Sequence, residues 1–285
     1  MQNLKFIVFS DLHYNHIKKS LSEYSSKRKL TLFAEPLIKK LITIVNQIKP
    51  DFVVNLGDLI QDVHDKNIDT ENFKHMIRIL NQSTVPVYSV LGTHDLRAFD
   101  RKEVSSFYGY DNPTYSFDCK NHHLVFLSEE HINSYNENNE KKVVYVINSK
   151  DLSWLKQDLD KTNLPTIIFT HTGLAEDNMK GNAFYEDGKY PAHYENRQDI
   201  KNILLKSNKV VIVFNGHQHW TKSLVEDGIK YQVCGSMVNN VNYSGTPDGV
   251  WLEVNAINGN LNIKEHHLTV EKNNFSMADS FNLNF

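Results

Sequence analysis

"VFNGHQHW", Val213–Trp220, decides how the chain is read. An apolar run halts at Gly216, and two histidines follow with one residue between them. The chain holds 14 histidines, so a lone His-x-His spacing carries little weight by itself. Its meaning depends on whether other strand ends supply partners. Five more runs have the same form: "LKFIVFSDLH" (Leu4–His13), "DFVVNLGD" (Asp51–Asp58), "VPVYSVLGTHD" (Val85–Asp95), "HHLVFLSEE" (His122–Glu130) and "PTIIFTHTG" (Pro165–Gly173). Each is rich in β-branched or aromatic residues and stops in polar ones. Continuous apolar runs of this length read as strands buried on both faces.

Helical periodicity lies between them. Leu37, Leu41, Ile44, Val45 and Ile48 form one stripe, and Phe73, Met76, Ile77 and Leu80 another. Leu152, Leu155 and Leu159 follow Ser149, read as a cap, and Ile200, Ile203 and Leu204 make a fourth stripe. Strands alternating with such helices predict an α/β fold with a largely buried sheet. After Gly216 the pattern turns to pure β, with Asn258-Gly259 as a tight turn. Neither repeats nor linkers interrupt the chain, so residues 1–285 read as one domain, with a motif core over about 4–255 and a C-terminal extension over 256–285. Two segments break the alternation: the polar Ser134–Lys142, read as an exposed loop, and the long Thr172–Asn196. Long connections inside compact domains are commonly functional or disordered.

Composition narrows the function. The chain is 40% hydrophobic and 23% charged, the balance of a soluble globular protein with ample core. Its net charge of −3 gives no broad basic footprint for nucleic acid or an anionic membrane, and leaves a local basic patch in a cleft open. Cys119 and Cys234 lie far apart and outside any CxxC, as thiols in a reducing compartment do. The first apolar run is too short for a signal-peptide core, and no run approaches the roughly 18 apolar residues of a membrane span. These features predict a cytoplasmic protein.

Ligands of open α/β sheets bind beyond the carboxyl ends of the strands. Collected there are Asp11 and His13, Gly57 and Asp58, Gly92 through Asp95, His171, and Gly216, His217 and His219. Each piece alone has a structural reading. Asp62-x-His64 repeats the spacing of Asp11-x-His13, Gly57-Asp58 can be a turn, and His94-Asp95 can be a helix cap. Jointly, carboxylates and imidazoles on five strand ends suit two divalent ions about 3.5–4 Å apart with one bridging carboxylate. The mixed ligand set fits Mn, Fe or Zn.

In order and approximate spacing, D-x-H (Asp11, His13), G-D (Gly57, Asp58), G-x-H-D (Gly92–Asp95), the lone His171 and G-H-x-H (Gly216–His219) resemble the calcineurin-like metallophosphoesterases. "DLSWLKQDL" and "CGSMVNN" are similar to stretches of the bacterial branch that holds the class III cyclic-nucleotide phosphodiesterases. The resemblance implies a four-layer α/β/β/α sandwich. It implies that Asp11, His13 and His219 hold one metal, that His171 and His217 hold the other, that Asp58 bridges, and that His94 stands just outside, oriented by Asp95. The family usually has an Asn ligand where this chain has Thr93, a poorer donor, so the second metal is expected to be the weaker one.

The implied activity is hydrolysis of a phosphate ester by a metal-bridging hydroxide, with His94 and Asp95 catalytic. The expected substrate is a small-molecule phosphodiester or nucleotide pyrophosphate. A phosphomonoesterase acting on protein or small molecules uses the same metal core, and a non-catalytic scaffold with this fold is a third reading, favoured by Thr93 alone. The mildly acidic balance speaks against a nuclease. Substrate contacts are expected from Tyr14, after D-x-H, and from His193, Tyr194 and Arg197 in or just after the long loop. That loop's aromatic residues, Phe184 and Tyr185 among them, read either as base-stacking groups or as packing onto the domain. Asn239 and Asn240 read equally as substrate contacts or turn residues.

Overall fold

A computed structural model of the chain describes residues 3–16, 28–135, 141–257 and 260–270. Each of the six sequence runs contains a strand. They are β1 (Leu4–Phe9), β2 (Phe52–Asn55), β3 (Val87–Ser89), β5 (His122–Phe126), β8 (Thr166–Phe169) and β9 (Val210–Asn215). The four periodic stretches are helices, α1 (Ala34–Ile48), α2 (Lys66–Leu80), α5 (Ser149–Lys161) and α6 (Arg197–Ser207). Two short helices, α3 (Asp95–Ala98) and α4 (Arg101–Tyr108), follow β3. The cap of α5 is Asn148, whose side chain accepts from Asp151 N, one residue before the expected Ser149. The shift is natural, because Asn148 is the last extended residue and its side-chain oxygen reaches the N3 amide.

The remaining strands are β4 (Tyr115–Cys119), β6 (Glu130–Tyr135), β7 (Lys141–Val146), β10 (Lys222–Glu226), β11 (Ile229–Val233), β12 (Val250–Ile257) and β13 (Asn260–His267). One sheet has five strands in the order β13-β12-β1-β2-β3, and another has six in the order β10-β11-β9-β8-β5-β4. β1, β2 and β3 run parallel, as do β5, β8, β9 and β11. The expected exposed loop at Ser134–Lys142 falls at the tip of the antiparallel hairpin β6–β7, and residues 136–140 lie outside the described ones. The Asn258-Gly259 turn also lies outside them, and β12 and β13 pair up to Ile257↔Asn260 on either side of it.

Alternation along the strands creates the layers. Ile7, Phe9 and Val53 face α1 and α2 in one apolar cluster, while Phe6, Val8, Phe52 and Val54 face the second sheet in another. On the second sheet, Leu124, Phe126, Ile167, Phe169, Ile212 and Phe214 meet the first sheet, and Val125, Ile168 and Val213 meet α5 and α6. Period 2 with both faces covered yields helix, sheet, sheet, helix, the expected four layers. Phe169 sits at the sheet–sheet contact, stacked on Phe126 with centroids 4.8 Å apart and edge-on to Phe6 at 5.7 Å. Replacing it with Ala should cost about 3–5 kcal/mol, read as a lower urea midpoint. An unchanged midpoint would mean that the two sheets do not share one core.

Candidate metal centre

The parallel strands β1, β2, β8 and β9 all open toward the same edge, and the turns beyond them deliver the ligand-type side chains. Five of these residues adopt left-handed backbone: Asp11 (φ 54), His13 (φ 47), Asp58 (φ 52), His217 (φ 64) and His219 (φ 58). Non-glycine residues in this region carry about 1–3 kcal/mol of strain each and persist where the surroundings over-determine them. The turns also need close backbone approach. A Cβ on Gly216 would fall 1.9 Å from Ser10 Oγ, and one on Gly92 would fall 2.0 Å from Asp58 N. This is the physical reason that the runs end on glycine next to histidine and aspartate.

Three ligand-type groups result: Asp11 with His13 and His219, Asp58 with His171 and His217, and, sharing members of both, His13 and Asp58 with His94; the first two, which have no member in common, are the ligand groups. Asp58 joins them, with Oδ2 3.7 Å from His13 Nε2 and Oδ1 3.4 Å from His171 Nε2. In the first group His219 Nε2 lies 3.0 Å from His13 Nε2 and 3.2 Å from Asp11 Oδ1. Every one of these side chains is buried.

Whether cations fit can be judged from the unused atoms. Asp11 Oδ2 is taken by Ser10 Oγ at 2.5 Å and His217 N at 2.9 Å, whereas Asp11 Oδ1 accepts no hydrogen bond. His171 Nδ1 donates to Leu56 O at 2.7 Å, which leaves its Nε2 lone pair aimed at Asp58 and without a hydrogen bond. His217 Nε2 donates to Pro191 O at 2.9 Å, which frees Nδ1. Backbone partners on the far nitrogen are how metal-binding imidazoles are oriented. Buried polar atoms without partners are costly, and divalent ions satisfy them. The residues therefore fit a pair of metal ions.

The electrostatics agree. Burial holds His13 well below its usual range and His217 at about 3, the latter helped by His171, so both are neutral donors. Burial lowers His171, but Asp58 outweighs it and raises the imidazole to about 10. Positive charge is thus wanted between these groups, and a divalent ion supplies it in place of the proton. Burial pushes the Asp58 carboxyl up, and His171 and His94 overcome it and hold the group well below the carboxylate range. Thr93 Oγ1 donates to Asp58 at 3.3 Å, next to both ligand groups.

His94 stands beside the first group, its ring 4.8 Å from that of His13 and edge-on to it. Its Nδ1 donates to Asp62 Oδ1 at 2.5 Å, with the Gln61 amide 2.9 Å away. Asp95, expected to orient it, instead accepts from Gly92 N at 3.1 Å and Ile60 N at 3.3 Å, and so fixes the turn itself. Burial and the neighbouring Asp58 raise Asp95 to about 8. Asp62 was read only as a decoy of the D-x-H spacing, and its place four residues after Asp58 was the available signal. Lys29 and Glu129 were also missed. Lys29 Nζ is 3.3 Å from His94 Nε2. Glu129 is fully buried, accepts from Thr172 Oγ1 at 2.5 Å, and feels both His171 and His217.

The four expected substrate contacts have partners within the protein. Tyr14 is buried in the α1–α2 core and stacks on His75 at 5.3 Å. Tyr194 is 2% exposed behind β8, with its hydroxyl 2.5 Å from Thr170 Oγ1. Arg197 pairs with Glu176 at 2.6 Å, and His193 Nε2 lies 3.2 Å from the Gln218 amide. Gly173 and His193 also pair through their main chains. The loop aromatics that do reach the centre are Phe184, 4.7 Å from the His219 ring, and Tyr185, whose hydroxyl donates to His217 O at 2.8 Å. Asn239 Nδ2 donates to His219 O at 3.1 Å and to Asp248, and Asn240 Oδ1 accepts from Gly245 N, so both hold turns.

Residues 4–221 match the family described as Calcineurin-like phosphoesterase. The chain belongs to this family. It is accordingly a hydrolase of phosphate esters with a centre for two divalent metals. Similar solved structures include a dimetal phosphatase from Danio rerio, 16% identical, with a TM-score of 0.74 over 93% of this chain and 96% of that one. A purple acid phosphatase from yellow lupin (Lupinus luteus) seeds is 14% identical, with a TM-score of 0.61 over 93% of this chain and 52% of that one. At these identities the likeness is one of fold. No curated protein matches the chain significantly.

Two outcomes test the centre. Dialysis should remove one metal before the other, and Thr93→Asn should slow that first loss, measured as metal per chain; simultaneous loss in both proteins would refute a weakened second site. Asp62→Asn should lower kcat by about 10–100-fold at unchanged metal content. Full activity in this variant would remove Asp62 from the orientation of His94.

Proposed function

We propose that this phosphoesterase hydrolyses a small-molecule phosphodiester or nucleotide pyrophosphate, with two ions, Mn, Fe or Zn, held by Asp11, His13, Asp58, His171, His217 and His219. The observation that carries the reading is the Asp58 carboxylate reaching both ligand groups, 3.7 Å from His13 Nε2 and 3.4 Å from His171 Nε2. When bound, such a metal pair lowers the pKa of a water held between the ions and neutralises phosphate oxygens.

The chain's own residues supply orientation and proton control. Asp62 assigns the proton of His94 to Nδ1, so Nε2 faces the reacting region. Burial, with Lys29 beside it, holds His94 at about 4, and burial lowers Lys29 to about 8. Near neutral pH the pair is a neutral imidazole beside an ammonium, able to steady negative charge on a departing oxygen. A centre flanked by such groups suits esters whose leaving oxygen needs help. Phosphomonoester hydrolysis is the competing reading, supported by the phosphatases that share the fold. Kinship with the cyclic-nucleotide branch belongs to the proposal, supported by Cys234–Asn240, where Ser236 Oγ donates to Asp11 O at 2.8 Å. Both cysteines are free, and among the described residues no helix is long and apolar enough to cross a membrane. These facts support a cytoplasmic location. A shared core between the two sheets supports a single domain.

The test is hydrolysis of bis(p-nitrophenyl) phosphate by metal-stripped protein, before and after Mn²⁺, beside p-nitrophenyl phosphate. Activity should return with the metal and be greater on the diester. A larger rate on the monoester would make the protein a phosphatase, and no rate on either with metal bound would count against catalysis.

A further inference from the structure

We infer that Lys29 is a specificity-determining residue, whose ammonium holds the second phosphate of a pyrophosphate substrate next to the phosphate taken by the metal centre. The inference rests on the proposed function and narrows it.

Lys29 is placed by its backbone. It pairs antiparallel with Asn239, flanked by Leu30 N donating to Val238 O and Asn240 N donating to Arg28 O, both at 2.8 Å. The same segment is tied to the centre through Met237 N and Ser10 O at 3.2 Å, and through Ser236 Oγ and Asp11 O at 2.8 Å. One short stretch of chain thus fixes the lysine relative to a metal ligand. Its Nζ approaches His94 Nε2 at 3.3 Å, on the side of the ring turned away from Asp62.

The ammonium lacks a local anion. Lys29 is half-buried, and among the described residues no carboxylate lies within ion-pair distance of its Nζ. Asp11 and Asp58 sit nearby and belong to the ligand groups. A second cation, Arg97, brings NH1 to 3.4 Å from His94 Nδ1, where the Asp62 carboxylate offsets it, whereas Lys29 on the Nε2 side has no such partner among the described residues. Keeping an unpaired ammonium partly out of water costs free energy. That cost is recovered when an anion arrives.

A simple diester brings one negative charge, which the metal pair takes. A pyrophosphate brings a second, linked to the first through a single oxygen. In its hydrolysis, water oxygen bonds to one phosphorus and the bond from that phosphorus to the linking oxygen breaks. The electron pair stays on the second phosphate, and the two water protons end one on each phosphomonoester product. Negative charge grows on the phosphate that Lys29 faces, where a compact ammonium binds well.

Calorimetric titration of the Mn²⁺-loaded protein with α,β-methylene-ADP and with AMP tests this without turnover. The wild type should bind the diphosphate analogue about tenfold more tightly than AMP. Lys29→Met should lose about tenfold on the analogue and little on AMP, and Lys29→Arg should keep most of the gain. Metal content measured on each variant confirms an intact centre. Equal affinity of the wild type for both ligands, or an equal loss on both in Lys29→Met, would overturn the assignment. Should diester hydrolysis fail while the preference for the analogue depends on Lys29, the proposed reaction falls and the phosphate site stands.

Discussion

The Asp58 carboxylate is the group on which the centre depends. It is 1% exposed, its oxygens reach both ligand groups, and the His94 amide donates to Oδ1 at 2.7 Å. An ionised carboxylate in such a place is tolerable only with compensating positive charge. Asp11 makes the same demand a few ångströms away. The backbone is bent to meet it, with Gly57 at φ 97 and Asp58 at φ 52, and Gly92 packs against them so closely that a methyl group there would collide with Asp58 N. The strain of these turns is borne by the sheets beneath, whose aromatic residues interlock from Phe6 through Phe169 to Phe214.

Much of the fold could be read because its signals are local. Six apolar runs and four helical stripes each declare themselves within a dozen residues, and the ligand residues stand at the ends of those runs. What could not be read depends on contacts distant in sequence. Asp62 meets His94 across a sequence separation of 32, and Lys29 meets it across 65. No spacing rule connects such pairs. Asp95 misled for a different reason: adjacent to His94, it is held by two backbone amides and is not free to turn toward the imidazole. Tyr194 and Arg197 show the same limit from the other direction. A polar aromatic residue or an arginine at the end of a loop that follows a ligand histidine looks available until the β8 core and Glu176 claim it.

The loop over 172–196 illustrates how both readings of its aromatic residues can hold a part of the truth. Tyr194 packs the loop onto the domain, whereas Phe184 and Tyr185 lie on the imidazoles of His219 and His217. Their contacts orient ligand rings, and Pro191 O fixes the tautomer of His217. Because these rings are spent on the ligand residues, the loop acts first as an outer support of the metal centre. The polar groups around His94 stand next to that centre. There a carboxylate, an imidazole and two cations are carried by three separate parts of the chain, at Asp62, at His94 with Arg97, and at Lys29. On the proposed function, the metal ligands hold the phosphate that is attacked, and the groups around His94 set the charge that the rest of the substrate meets.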